Sequence, residues 1–128
     1  ELGFKVRQQQ NGNISFWKSS NHPMSIVFLD EEKSSFRIKL WIVNLADELQ
    51  MKAAKACCIR LNPTLYLTKF AVEKKRGSYG LCTVIDHMCY TQSEVRKFMP
   101  LATELIVMDS IKAINFMNEK VEQLKKAE

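Results

Sequence analysis

Glycine, proline and histidine are all scarce in this chain, which has four glycines, three prolines and two histidines among 128 residues. Few glycines argue against a loop that cradles phosphate, and no Walker-type motif occurs. Few glycines and prolines also leave little room for linkers, so we expect one domain over residues 1–128. Two histidines without a C-x-x-C pair argue against zinc, and G-x-S-x-G and H-E-x-x-H are absent. We therefore predict no catalytic residue, no cofactor and no metal.

Long apolar runs are also missing from the sequence. No segment approaches the roughly 20 apolar residues that cross a bilayer, and the first ten residues lack the apolar core of a signal peptide. We expect no membrane partner. The 19 Lys and Arg exceed the 14 Asp and Glu and give a net charge of +5. Nucleic acid is therefore a possible partner but not the favoured one, because the basic residues are scattered and the one cluster, residues 74–76, fits a charged hairpin tip.

The first two strands are predicted to form a hairpin around the Asn-Gly pair that ends at Gly12. A two-residue loop would set polar side chains against apolar ones on the same face. A three-residue loop instead pairs Val6 with Phe16 and Gln8 with Ile14, which keeps the apolar side chains opposite each other. We therefore predict the three-residue loop.

Two further strands follow, one that is apolar on both faces over residues 22–30 and one that alternates over residues 35–43. Alternation places side chains on opposite faces of a sheet. It predicts a core-facing set and an outward set, which are respectively Phe36, Ile38, Leu40 and Ile42, and Arg37, Lys39 and Trp41.

A helix is predicted from an N-cap at Asn44 to about Leu61, and Pro63 ends it. Neighbouring residues on a helix point about 100° apart, so Cys57 and Cys58 are poorly placed to chelate one metal or to form a disulfide. We expect small side chains here to let the helix approach a sheet closely. The predicted apolar face consists of Leu45, Leu49, Ala53, Ala56 and Cys57.

A second hairpin over residues 64–88 precedes a capping box at Thr91–Glu94. Pro100 predicts a short helical piece to Phe98, then a kink or break, then a long helix over 101–124. Strands come in hairpins and do not alternate with helices. The predicted architecture is therefore α+β: an antiparallel sheet of about five or six strands, with helices packed on one face and a long C-terminal helix.

The long helix has more apolar residues than one core-facing side needs. Residues 105–108 are apolar on all sides, and an apolar repeat with spacings of three, four and three begins at Ile114. Two heptads are too few to indicate a coiled coil. We predict a dimer or partner surface that contains Leu105, Val107, Met108, Ile114, Met117 and Val121.

A few residues have side chains capable of chemistry. Cys82, His87 and Cys89 could form a thiol or soft-metal site, although a plain strand end explains them as well. Asp86 should point away from its neighbour His87, which argues against an acid and base pair, and His22 is expected in a solvated turn. An alternative base-stacking platform would combine aromatic and basic side chains, but core packing is the simpler expectation for aromatics on a helix-covered sheet. That platform would contain Trp17, Trp41, Tyr66, Phe70, Arg37 and Lys39.

The order of elements resembles the YbjN family, which is similar in fold to type III secretion chaperones. The resemblance is carried by the segments "ELGF", "AAKACCIRLNPTLYLTKFAVEKKRGSYGL" and "LATELIVMDSIKAINFM", and within them by Leu61-Asn62 and Asp109. It departs from the family at the first helix, of which only a last turn is suggested by Glu1 and Leu2. The resemblance implies a small, non-catalytic, cytoplasmic homodimer whose client is another polypeptide.

Overall fold

The computed structural model describes residues 5–8, 14–17, 24–29, 35–89 and 91–127. The predicted α+β class, antiparallel sheet and long C-terminal helix are confirmed. In chain order the elements are β1 (Lys5–Gln8), β2 (Ile14–Trp17), β3 (Met24–Phe28), β4 (Ser35–Leu45), α1 (Glu48–Leu61), a 3₁₀ turn (Asn62–Thr64), β5 (Lys69–Lys75), β6 (Ser78–Met88) and α2 (Gln92–Lys126).

The strands form one antiparallel sheet in the order β1-β2-β3-β4-β6-β5. Four of them, β3 to β6, carry the described core residues, and the short β1 and β2 extend the sheet beyond β3. The predicted register of the first hairpin is confirmed, since Val6 pairs with Phe16 and Gln8 with Ile14. The loop residues of that hairpin, 9–13, lie outside the described part of the chain.

Strand β4 alternates as predicted until it reaches a β-bulge. Phe36, Ile38 and Leu40 are buried toward the helices. The register with β6 then shifts between Trp41 and Val43, so that one extra residue enters β4. After the bulge Val43 and Leu45 turn toward the core, which extends the buried face of the strand.

Both helices pack on one face of this sheet around two clusters of buried side chains. The first cluster joins β3, β4 and β6 to the first half of α2. The second joins β5, β6 and α1 to the second half of α2, and small side chains line it where the helices meet: Ala53, Ala54, Cys57 and Ala113 have no exposed surface. Close packing of helix on sheet favours such small residues.

The start of α1 differs from the prediction. Asn44 lies in β4, where its side-chain oxygen accepts a hydrogen bond from Trp41 Nε1 at 2.7 Å. Asp47 is the N-cap and accepts from the backbone N–H of Gln50 at 2.8 Å. Pairing of Leu45 with Tyr79 extends β4 past Asn44, so the cap moves three residues along the chain.

No break occurs at Pro100, because α2 is one continuous helix of 35 residues, so the prediction of two separate helical pieces is wrong. Thr91 caps it and accepts from the backbone N–H of Glu94 at 3.1 Å, as the capping-box pattern predicts. Pro100 removes one backbone donor from the helix. Burial of Ala102 and Ile106 on one side of this proline, with partial burial of Phe98 on the other, offsets that loss.

Two buried polar contacts join the middle of α2 to the sheet. The hydroxyls of Thr83 and Ser110 are 2.7 Å apart, and Thr68 donates a hydrogen bond to Asp109. The ammonium of Lys112 lies 3.3 Å from the other carboxylate oxygen of Asp109. Buried polar groups with partners fix the position of a helix more specifically than apolar contacts do.

Candidate functional site

The solvent-facing side of α2 carries five large apolar side chains that are each 42% to 54% exposed. We call this set the α2 stripe; it consists of Leu101, Val107, Met108, Ile111 and Ile114. The opposite side of the same helix supplies its buried residues, so the stripe adds nothing to the core. Several large exposed apolar side chains on one helix of a small protein are typical of an interaction surface.

The predicted dimer surface divides between this stripe and the core. Val107, Met108 and Ile114 are exposed, whereas Leu105 is partly buried against the first cluster. Met117 is only 6% exposed and belongs to the second cluster, which Val121 and Leu124 contact. For Met117 the interpretation of the sequence is corrected, because Met117, Val121 and Leu124 pack against the second cluster, whereas Ile114, which begins the same apolar repeat, is exposed.

Sequence reasoning missed two members of the α2 stripe, Ile111 and Leu101. Ile111 follows Val107 by four positions and precedes Ile114 by three, which is the spacing of one helix face. This spacing places Ile111 beside Val107 and Ile114, whereas Leu101 directly follows Pro100, where the sequence predicts a kink or break.

The sheet face opposite the helices is held together by ion pairs. Arg37 donates two hydrogen bonds to Asp86, at 2.6 and 2.9 Å, and this contact holds the pKa of Asp86 below its usual value. The ammonium of Lys39 lies 2.7 Å from a carboxylate oxygen of Glu73. These basic side chains are therefore already neutralised by carboxylates of the same chain.

Trp41 of β4 lies on that same face, and its ring extends over the neighbouring strand β6. A Cβ atom built on Gly80 would overlap the Trp41 indole, so the ring lies directly against the glycine backbone. The other aromatics of the imagined base-stacking platform lie elsewhere: Phe70 is buried in the second cluster, and Tyr66 is 95% exposed in the loop before β5. The side chain of Trp17 lies outside the described part. The structure thus does not bring Trp41, Tyr66 and Phe70 together.

Three of the four cysteines are buried and Cys58 is partly buried, and burial raises the pKa of all four thiols. Burial raises the pKa of Cys57 to about 12, and the neighbouring Cys58 contributes. Burial also raises the pKa of Cys82 to about 12, with a further contribution from the charge of Glu73, whose carboxylate accepts from the Cys82 Sγ at 3.8 Å. Thiolates are the good nucleophiles and metal ligands, so a raised pKa and burial both disfavour reaction at Cys57 and Cys82.

The imagined thiol or metal site is not assembled. Cys82 faces away from the helices, whereas His87 lies on the helix side of β6 and stacks on Phe98 with ring centroids 3.7 Å apart. Cys89 is buried just beyond the strand, and burial raises its pKa. Asp86 pairs with Arg37 on the face opposite His87, as the alternation predicts. His22 lies outside the described residues.

Asn62 and Asp109, which carry the resemblance noted above, both have structural contacts. The carboxamide of Asn62 accepts from the backbone N–H of Phe70 at 2.7 Å and donates to the carbonyl of Phe70 at 3.0 Å. This side chain therefore pairs with the outer side of β5 as another strand would. Asp109 joins α2 to the start of β5 through Thr68.

The β5–β6 hairpin ends in a two-residue turn at Arg76 and Gly77, whose φ angles are 51° and 82°. Positive φ at both positions is typical of a type I′ turn, and glycine favours it. Lys74, Lys75 and Arg76 are all exposed, and the Lys74 ammonium lies 5.5 Å from the centre of the Tyr79 ring. We call residues 74–76 the basic tip.

Within the described ranges, no group of three or more His, Cys, Asp or Glu side chains is arranged to hold a metal ion. No helix in this part of the chain is long and apolar enough to span a membrane. No family model, curated protein or solved structure matches the chain, so the resemblance to the YbjN family stays a prediction.

Proposed function

We propose that this chain is a non-catalytic, chaperone-like polypeptide-binding protein that acts as a homodimer through the α2 stripe. The observation that carries the proposal is the α2 stripe itself, whose five apolar side chains are half-exposed on a helix that already covers the sheet with its other side. Burying apolar surface is the main driving force for association. The resemblance to the YbjN family implies a cytoplasmic location and an unidentified polypeptide client. Both rest on that resemblance alone and are part of the proposal.

Two exposed polar residues, one within the stripe and one beyond its C-terminal end, favour an antiparallel second copy. Glu104 and Asn118 are exposed on the side of α2 that carries Ile111, seven positions before and after it. In an antiparallel pair centred on Ile111, each Glu104 would face the Asn118 of the other copy and accept a hydrogen bond. A parallel pair would set Glu104 against Glu104, and like charges at an interface are unfavourable.

The nucleic-acid alternative has less support from the geometry. Arg37 and Lys39 are each paired with a carboxylate, and Trp41, Tyr66 and Phe70 do not share one face. The basic tip is exposed and forms no ion pair with a carboxylate of the described residues, so it is one candidate for a contact with phosphate.

The test is the molar mass in solution of the wild-type chain and two variants, measured by light scattering during size exclusion. We expect twice the 14.8 kDa of one chain for the wild type. Ile111→Glu should give a monomer with unchanged circular dichroism, because a charge would be buried without a partner in the dimer but solvated in the monomer. Gln123→Glu, the same change in charge at an exposed position outside the stripe, should stay dimeric. A monomeric wild type, or a dimeric Ile111→Glu, contradicts the proposal.

A further inference from the structure

Strand β5 lies at one end of the sheet and, among the described residues, pairs only with β6. In an antiparallel strand the N–H and C=O of one residue point to the same side, and successive residues alternate. Asn62 binds the backbone N–H and C=O of Phe70, so these two groups point away from β6 in the plane of the sheet. By the same alternation the backbone groups of Val72 and Lys74 also point away from β6, whereas those of Ala71 and Glu73 bond to β6. We call the outward groups of Phe70, Val72 and Lys74 the β5 edge.

The β5 edge is closed at one end and open at the other. Asn62 satisfies the donor and the acceptor of Phe70. Within the described ranges, no hydrogen-bond partner lies on the outer backbone groups of Val72 or Lys74. Unpaired groups on an edge strand form a template for another extended chain. Two neighbouring outward residues, each with one donor and one acceptor, are available between Asn62 and the hairpin turn.

Charge at the open end selects the partner. The basic tip follows directly on the open positions, and none of its three side chains forms an ion pair with a carboxylate of the described residues. Glu73, the one acidic residue of β5, is paired with Lys39 on the sheet face and does not neutralise the tip. A partner that reaches the open end therefore meets three uncompensated positive charges.

We propose that the β5 edge binds an extended acidic peptide by strand addition, with the peptide backbone paired to Val72 and Lys74 and its carboxylates next to the basic tip. The inference rests on the polypeptide-binding function proposed above and names the chemistry of the client. Main-chain hydrogen bonds supply affinity in this mode of recognition, and side chains supply selectivity. Asn62 limits the register, because a peptide that extends past Val72 meets a position already occupied.

The probe is a fluorescein-labelled peptide in which valine and glutamate alternate, and its binding to the full chain is followed by anisotropy. The matched control peptide has the same sequence with alternate backbone nitrogens methylated, which preserves charge and removes the donors. We expect saturable binding of the first peptide and at least about tenfold weaker binding of the second, the effect of one lost hydrogen bond or more. Equal binding of both peptides would overturn strand addition.

Two protein variants locate the site. Val72→Pro removes an outward N–H and leaves the bonds to β6 intact, a position where an edge strand accepts proline. It should weaken binding by about tenfold or more. Lys74→Glu should weaken it and reduce the salt dependence, whereas Lys126→Glu, the same change in charge at the end of α2, should not. Unchanged affinity in Val72→Pro would overturn the proposal.

Hydrogen exchange of the wild-type chain supplies a measurement that needs no variant. The amides of Val72 and Lys74 should exchange fast in the free chain and slowly with the unmethylated peptide, while those of Ala71 and Glu73 stay slow in both. Peptide binding without this protection would overturn the edge site and leave the polypeptide-binding function standing. A wild-type chain that is monomeric but still shows this protection of Val72 and Lys74 would overturn the proposed homodimer alone. Displacement of the peptide by a single-stranded oligonucleotide that binds more tightly would assign the basic tip to nucleic acid and overturn the peptide proposal.

Discussion

The hydroxyl of Thr68 donates a hydrogen bond to the carboxylate of Asp109, and both residues are buried. The contact joins the loop before β5 to the middle of α2. Lys112 lies near the other carboxylate oxygen at 3.3 Å, but its side chain is 60% exposed, so solvent screens that attraction. Thr68 is therefore the principal buried partner of Asp109 among the described residues.

Removing the Thr68 hydroxyl should destabilise the fold without changing its shape. Thr68→Val keeps the volume of the side chain and leaves Asp109 with one partner fewer, so the free energy of unfolding should fall by about 1 to 3 kcal/mol. Thr68→Ser keeps the hydroxyl and should cost less. Urea unfolding followed by circular dichroism measures both values. A Thr68→Val variant as stable as Thr68→Ser would show that the hydrogen bond contributes little.

The pH dependence of stability tests the pair between Arg37 and Asp86. Hydrogen bonding to Arg37 lowers the pKa of Asp86 below its ordinary value of 3.8 in the folded chain. A carboxyl of this kind contributes stability above its unfolded pKa and loses that contribution as the pH falls through the folded value. The side chains are 35% and 49% exposed, so we expect at most about 1 kcal/mol after solvent screening.

Asp86→Asn should accordingly lower the free energy of unfolding at about pH 7, and its difference from the wild type should shrink as the pH falls from the unfolded pKa of Asp86 through the lower folded one. Thermal unfolding at several pH values over this range measures the difference. Glu119→Gln, at an exposed position of α2, is the matched control and should show no such pattern. An equal loss at all of these pH values would assign the effect of Asp86→Asn to the altered shape and not to the charge.

The reactivity of Cys82 depends on the residues that cover it. The thiol is 1% exposed although it faces away from the helices, and the pair between Lys39 and Glu73 lies on the same face beside it. Glu73→Ala removes a side chain that shields Cys82 from solvent, and it removes a negative charge. Burial and that charge both raise the pKa of Cys82. Alkylation of Cys82 by iodoacetamide, followed by mass spectrometry, should therefore be faster than in the wild type. Cys57 in the same sample is an internal control, and parallel acceleration of Cys57 would indicate general unfolding.

Local patterns predict much of this fold, and they fail where two local signals compete. The β1–β2 register follows from the sequence because a shift of one residue would turn every apolar side chain of a strand to the wrong face. Asn44 and Asp47 are both competent caps, and pairing across to Tyr79, which no local pattern encodes, decides between them. At Pro100 the helix continues because packing on both sides of the proline outweighs one missing hydrogen bond.

The candidate site is predicted only in part, for a related reason. Helical spacing shows that α2 has apolar residues on several sides, but not which side the sheet covers. Met117 and Ile114 look equivalent in the sequence, and the packing of α1 against α2 buries the first and exposes the second. The β5 edge depends on a contact between Asn62 and Phe70, eight positions apart, that composition and periodicity do not reveal.

A Cβ atom on Gly80 would overlap the Trp41 indole, so the residues tolerated at these two positions depend on each other. A side chain larger than hydrogen at position 80 expels the ring, and a smaller residue at position 41 uncovers the backbone of β6. Related chains that lose the tryptophan are then free to lose the glycine, whereas either change alone is costly. The packing of the indole on the glycine thus predicts that Trp41 and Gly80 are replaced together and not singly.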